Sequence, residues 1–354
     1  MDPASLIPIP DAIPVHWLWL QLLLTVTTFL HFMAMNIMLG SGFIAFAAPY
    51  FRDDVLPMNR AIAKALPISI AFTINLGVAP LLFLQVLYGQ FLYTSSILMG
   101  VFWLSIIGML ILSYYGAYIY TLNNDKLGLG RLTISLSVLL LLAVGFLFCN
   151  NLSIMQLPDT WTNYFNDRTG WLLNMGDPAL VPRYLHFVAS AIAIGGLAIA
   201  LYFDFQKRRG DTSADQWIRH GCNWFTYATI VNFGIGFWFL GALPESAYNP
   251  ATLLGKTFFI MIVGSVFTII MAVVYAQQYR LFHAAAWATA TVLLMSLARD
   301  VLKLAYLKPY FSLADLPQVS QYSPFLVFLV FFIIGGKLVW WMLKTMMASD
   351  KEVA

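Results

Sequence analysis

Residues 18–48 read LWLQLLLTVTTFLHFMAMNIMLGSGFIAFAA, thirty-one positions without one charged side chain. As a helix rising about 1.5 Å per residue, such a run is longer than the ~30 Å hydrocarbon core of a bilayer. Eight further apolar stretches follow, at 66–92, 97–122, 131–155, 179–204, 218–243, 254–279, 284–307 and 322–347. Lipid offers the backbone no hydrogen bonds, so a spanning segment is either a helix or part of a closed barrel. A barrel would show short alternating segments, and none occurs. The whole chain of 354 residues agrees, with 60% hydrophobic and only 10% charged residues and a mean hydropathy of +0.78. A soluble domain carries about 25% charged residues. These figures exclude a soluble enzyme, a disordered chain and a nucleic-acid partner. The net charge of +3 includes no basic run long enough to suggest a polyanion partner. The expected fold is an all-α polytopic membrane protein with nine transmembrane helices.

Basic residues near the ends of the spans set the expected orientation. One side carries Arg52, Arg60, Lys64, Lys126, Arg131, Lys207, Arg208, Arg209, Arg219, Arg280, Lys344 and Lys351. The other carries Arg168, Arg183, Lys256, Lys303 and Lys308. Twelve against five places the N-terminus outside and the C-terminus inside, as nine spans require. The start shows neither a basic n-region nor a cleavage site, so the first span is expected to act as the insertion signal. Cys149 and Cys222 lie in separate apolar segments outside any CxxC or CxxCH motif. That excludes covalent c-type haem and a cysteine zinc site.

The first and fifth spans share a motif. Leu30-His31-Phe32 leads to Gly40 and Gly42, and Leu185-His186-Phe187 leads to Gly195 and Gly196, an offset of 155. Ile74-Asn75-Leu76-Gly77-Val78 returns as Val231-Asn232-Phe233-Gly234-Ile235, an offset of 157. Two matches at nearly one spacing predict a duplicated four-helix unit plus one further helix. The expected division is a first bundle with an interfacial lead-in over 1–157, a second over 158–310, and the ninth helix with its tail over 311–354.

Polar groups within such spans are costly to insert and are functional candidates. His31 and His186 occupy the same repeat position. Imidazole is the commonest axial ligand of haem iron, and the small residues beside each histidine leave room for a flat macrocycle. The other reading is a pair of core histidines bonded to neighbouring helices. His186 and Met261 each lie about seven residues into their span from the outer side, which puts both roughly 10 Å deep. A His/Met pair would hold a low-spin b haem, although Met261 would equally serve as packing filler. Arg183 and Lys256 lie about one turn outward of this pair. They would either hold haem propionates or anchor helix ends at the interface. Arg299, Asp300 and Lys303 interrupt the eighth span. They would neutralise propionates, line a proton path, or form a structural ion pair.

These motifs resemble the haem-bearing subunit I of the cytochrome bd quinol oxidase superfamily. The likeness covers most of the chain. Leu30-His31-Phe32 and Asn75-Leu76-Gly77-Val78 are similar to its first histidine motif and its Asn-Phe-Ala-Leu-Gly-Val stretch. Met155-Gln156-Leu157-Pro158 resembles its Met-Gln-x-Pro. Pro182-Arg183-Tyr184-Leu185-His186 resembles its Pro-x-basic-x-x-His, with the proline one place closer. Phe258-Phe259-Ile260-Met261 is similar to its Phe-Arg-Ile-Met. The resemblance implies nine helices arranged four, four and one. It implies His186 and Met261 as axial ligands of one b haem and His31 as ligand of a second.

Three departures bear on function. The third span, where the family carries the carboxylate ligand of haem d, holds no carboxylate. Ser296-Leu297-Ala298-Arg299-Asp300 stands where the family places a glutamate. The long quinol-binding loop is cut to residues 243–250, of which Glu245-Ser246 and Tyr248 resemble its start. The expected function is therefore that of a b-type cytochrome subunit in the inner membrane of a prokaryote. It would carry one or two protohaems and relay electrons between a quinone pool and an outer partner, a c-type cytochrome or iron–sulfur subunit. Other integral membrane subunits are expected beside it. A terminal quinol oxidase and a haem-free scaffold or transporter are the alternatives.

Overall fold

The computed structural model describes residues 3–50, 55–124, 127–166 and 168–352. Among them, nine helices are long and apolar enough to cross a membrane. They are α1 Trp17–Ala47, α2 Leu56–Leu98, α3 Gly100–Asn123, α4 Leu127–Gln156, α5 Leu180–Arg208, α6 Ala214–Ala242, α7 Leu253–Gln277, α8 Leu281–Leu307 and α9 Tyr322–Glu352. Glu245–Tyr248 adds a single helical turn, and short 3₁₀ turns lie at Pro3–Leu6, Ala48–Tyr50, Pro158–Phe165 and Leu313–Asp315. No strand forms among the described residues, only an isolated parallel bridge between Ile13 and Gln318. Of the basic residues counted above, Arg52 and Lys126 lie outside the described residues.

Most helices begin and end within a few residues of the apolar spans. The exception is α2, which starts ten residues before its span. That lead carries Asn59, Arg60 and Lys64 and is too polar to register as a membrane segment. It nevertheless buries Met58, Asn59, Ile62, Ala63 and Leu66, one face at helical spacing. The Asn59 amide donates to the Ala45 carbonyl at the end of α1 at 3.3 Å. Farther on, Tyr88 interrupts α2 with non-helical angles (φ −134°, ψ 28°).

One end of the bundle collects the chain's start and the four connections that follow α2, α4, α6 and α8, and is called here the N-terminal face. Ile13 donates to the Pro317 carbonyl at 2.8 Å, Val101 to the Gly170 carbonyl at 3.1 Å and Leu172 to the Leu98 carbonyl at 3.3 Å. His16 caps α1 by accepting from the Leu18 amide at 3.3 Å. Asn174 and Asp177 tie the longest connection to α4: Ser153 donates to Asp177 at 2.6 Å and Asn174 donates to Ser153 at 2.9 Å.

Helices pack as neighbours in sequence, α1 on α2, α3 on α4, α5 on α6 and α7 on α8, and α1 lies along α5. The α1–α5 crossing is close because its residues are small. A Cβ on Gly40 would strike the Ala191 carbonyl, and one on Gly195 would strike the Gly40 backbone. Such stripes let membrane helices gain van der Waals contact where apolar burial gives little advantage over lipid. Phe32 and Phe187, each following its histidine, meet edge to face at 5.4 Å. The largest apolar cluster spans α1 to α8. α9 rests on the bundle through Phe325 against Trp19 and Phe328 against Phe83, with its spanning stretch otherwise exposed.

Candidate functional site

The two halves of the bundle differ at the N-terminal face. A broad apolar cluster fills the space among α1, α2, α3 and α4, built on residues such as Leu24, Leu87, Phe91 and Ile154. The corresponding space among α5, α6, α7 and α8 holds a cavity of about 240 Å³. Phe32 and Asn36 of α1 and Leu152 and Gln156 of α4 close it on the side of the first half.

Its wall is mostly apolar, yet it gathers unsatisfied polar atoms. Asn36 Oδ1, Gln156 Oε1, Arg183 Nη1, His186 Nδ1, Asn232 Oδ1 and Arg299 Nη1 are all buried without a hydrogen-bond partner, and all six residues line the cavity. Native proteins leave few such groups, because each carries an uncompensated desolvation cost. Among the described residues, the other such atoms, on Asn59, Thr73, Gln90 and Tyr120, are spread over the rest of the chain. No carboxylate lines the cavity; the nearest to its guanidinium groups is Asp300, 3.6 Å from Arg299 on the far side of α8.

Both histidines sit against a glycine of the next helix. A Cβ on Gly77 would lie 2.9 Å from the His31 ring, and one on Gly236 would lie 3.5 Å from the His186 ring. The Nδ1 of His31 is 3.1 Å from the Thr73 carbonyl. A proton there leaves Nε2 with its lone pair free, the tautomer of a metal-binding histidine. Asn232 stands beside His186 as Thr73 stands beside His31. Both pairs of matching positions are 159 apart, so α6 is registered on its histidine two residues beyond the spacing of 157 read from Asn75 and Asn232. His186 lines the cavity; His31 lies outside its wall.

The charged candidates divide. Arg183 is buried, lies over the Phe239 ring at 5.6 Å and reaches the cavity. Arg299 reaches it from α8 and lies over the Phe32 ring at 5.4 Å. Asp300 turns away to the α1 junction, where it accepts from Thr25 at 2.6 Å, from Gln21 at 3.3 Å and from Lys303 at 3.1 Å. Arg299 remains 3.6 Å from Asp300, so these neighbours share an ion contact while serving different sides of the helix. Lys303 is fully buried, stands over the Tyr88 ring at 4.3 Å and is committed to Asp300 rather than to the cavity. Lys256 is exposed near the start of α7.

The methionines divide as well. Met261 packs beside the small cluster of Phe258, Ala298, Leu302 and Tyr306. Phe258, Ala298 and Leu302 themselves line the cavity, so Met261 sits directly behind a wall that α7 forms with Phe258, Ile262, Ser265, Val266 and Ile269. Met295 of α8 is the cavity's methionine, one turn from Arg299 and farther from the N-terminal face. Met99 is fully buried at the α2–α3 break. Its sulfur accepts from Asn150 at 3.4 Å and from Asn151 at 3.6 Å.

Sequence reasoning had used Gln156 and Asn232 as motif markers and passed over Asn36. The available signal was an amide side chain within an apolar helix: Asn36 in α1, Gln156 in α4 and Asn232 in α6. Among the described residues, no three His, Cys, Asp or Glu side chains gather as a metal-binding group. No protein-family model matches the chain, and no curated protein matches it.

Proposed function

We propose that the chain is a b-type cytochrome subunit of a respiratory oxidoreductase, relaying electrons between a quinone pool and a redox partner at the N-terminal face. A c-type cytochrome or an iron–sulfur subunit would be that partner. The observation that carries the reading is the set of six unpaired polar atoms on one largely apolar cavity.

The residues present suit a protohaem. Iron within a haem already has four ring nitrogens, so one or two protein ligands complete it and no three-residue cluster is required. Bound haem would supply one-electron transfer at its iron. His186 is the residue to hold that iron. Asn232, next to the ring, is placed to orient the imidazole. Arg183 and Arg299, unopposed by a lining carboxylate, suit two propionates through charge-assisted bonds. Phe187, Phe233, Phe237 and Phe239 shield the centre from water. His31, with its Nδ1 against a carbonyl, is the candidate ligand for a second haem.

The matched helix pairings and the two histidine–glycine contacts support a duplicated four-helix unit. The basic bias supports an outside N-terminal face in the inner membrane of a prokaryote. Because α3 carries no carboxylate, electron relay is favoured over oxygen reduction at a haem d.

The test is pigment extraction and pyridine haemochrome analysis of the purified protein. One or two protohaems per chain are expected, and one fewer in His186→Ala. A folded, monodisperse preparation without haem would overturn the reading.

A further inference from the structure

The cavity is longer than its polar part. Its wall follows α8 from Arg299 to Ala288 and α7 from Phe258 to Ile269, each a path of about 16 Å at ~1.5 Å per residue. All six orphaned polar atoms belong to the part nearer the N-terminal face or to the level of Asn36 and Asn232. Beyond that level the character changes. Ala193, Ile194, Val266, Ile269, Ala288 and Val292 form the wall. The hydroxyls there are already spent. Thr229 donates to the Phe225 carbonyl at 2.7 Å, Ser265 to the Met261 carbonyl at 2.7 Å and Thr291 to the Trp287 carbonyl at 3.0 Å.

A slot with an unsatisfied polar end and a satisfied apolar end matches an amphiphile. His186 and Arg299 stand at the level nearer the N-terminal face, and no orphaned polar atom of the wall lies in the innermost turns. We propose that this deep half is a second binding compartment, occupied by a long hydrocarbon chain lying along α7 and α8. The chain would belong to a prenylquinone, to a membrane lipid, or to a substituent of the macrocycle. The proposal concerns the deep half alone and goes beyond the haem reading of the polar half.

The experiment isolates the protein in native membrane patches with styrene–maleic acid copolymer. Solvent extracts are then analysed by quantitative mass spectrometry. Wild type should retain about one chain-bearing molecule per protein in excess of the annular lipid carried by an equally sized control membrane protein. Ala288→Trp and Ala193→Phe fill the deep half without touching Arg183, His186 or Arg299, and each should lose that molecule at least tenfold. The identity of the lost compound separates quinone, lipid and substituted porphyrin. Because wild type is itself measured, the proposal remains open to refutation if a variant fails to fold. Haem with no retained chain would overturn this proposal and leave the haem reading standing. A retained chain without haem would do the reverse.

Discussion

Single side chains decide what the cavity can hold. Arg183 and Arg299 reach it from α5 and α8 and bring two guanidinium groups to a wall that holds no carboxylate, although Asp300 stands 3.6 Å from Arg299 behind the wall. Positive charge beside a haem favours the reduced form. Arg299→Leu is therefore expected to lower that haem's midpoint potential by roughly tens of millivolts, or to lower its occupancy. A redox titration checks this, and an unshifted curve at full haem content would make Arg299 merely structural. Met261→Leu and Met295→Leu form a second comparison. The resemblance expects the first to convert a low-spin haem to high spin, whereas the cavity wall contains only Met295. Visible and magnetic circular dichroism spectra of both variants would show which thioether reaches the iron. Lys303 raises a question of stability instead. It is fully buried and bonded to Asp300, so Lys303→Met strands a carboxylate that then relies on Arg299 and Thr25. The expected loss is about 3–5 kcal/mol, read from thermal unfolding in detergent.

At the scale of helices, the α1–α5 crossing joins the two halves. Its contact depends on Gly40 and Gly195, where an added Cβ meets backbone rather than a yielding side chain. Gly195→Leu is expected to cost at least about 1–3 kcal/mol and to disturb Phe32, which belongs to both the crossing and the cavity wall. Limited proteolysis of the connection between α4 and α5 would report the separation; unchanged protection would show that α1 and α5 are held by other contacts. The residue pattern in α1 and α5 made their kinship legible as Leu-His-Phe followed by small residues. The amphipathic lead of α2 was not legible as membrane structure, because a hydropathy average cannot distinguish a polar stretch packed on α1 from a loop.

For the whole molecule, orientation decides which side the cavity serves. Cysteine placed at Asn163 or Ser320 on the N-terminal face should react with an impermeant maleimide in intact cells, and cysteine at Thr212 on the opposite face should not. The native Cys149 and Cys222 are buried and leave the background low; the reverse pattern would invert the assignment. Nine apolar spans and the duplicated histidine motif followed from the sequence alone. A spanning helix is a local consequence of hydrophobicity and backbone hydrogen bonding in lipid, so it is written in consecutive residues. Which polar groups converge is not local. Asn36, Gln156, Arg183, His186, Asn232 and Arg299 come from five helices, and only the packing angles of those helices bring them to one wall. The same applies to Met261 and Lys303. Depth along the chain placed each beside the expected site, but rotation about the helix axis set Met261 behind the wall formed by Phe258, Ala298 and Leu302 and turned Lys303 to Asp300. Sequence fixes how far a residue lies along its helix; the direction it faces depends on contacts between residues hundreds of positions apart, and those only the tertiary structure decided.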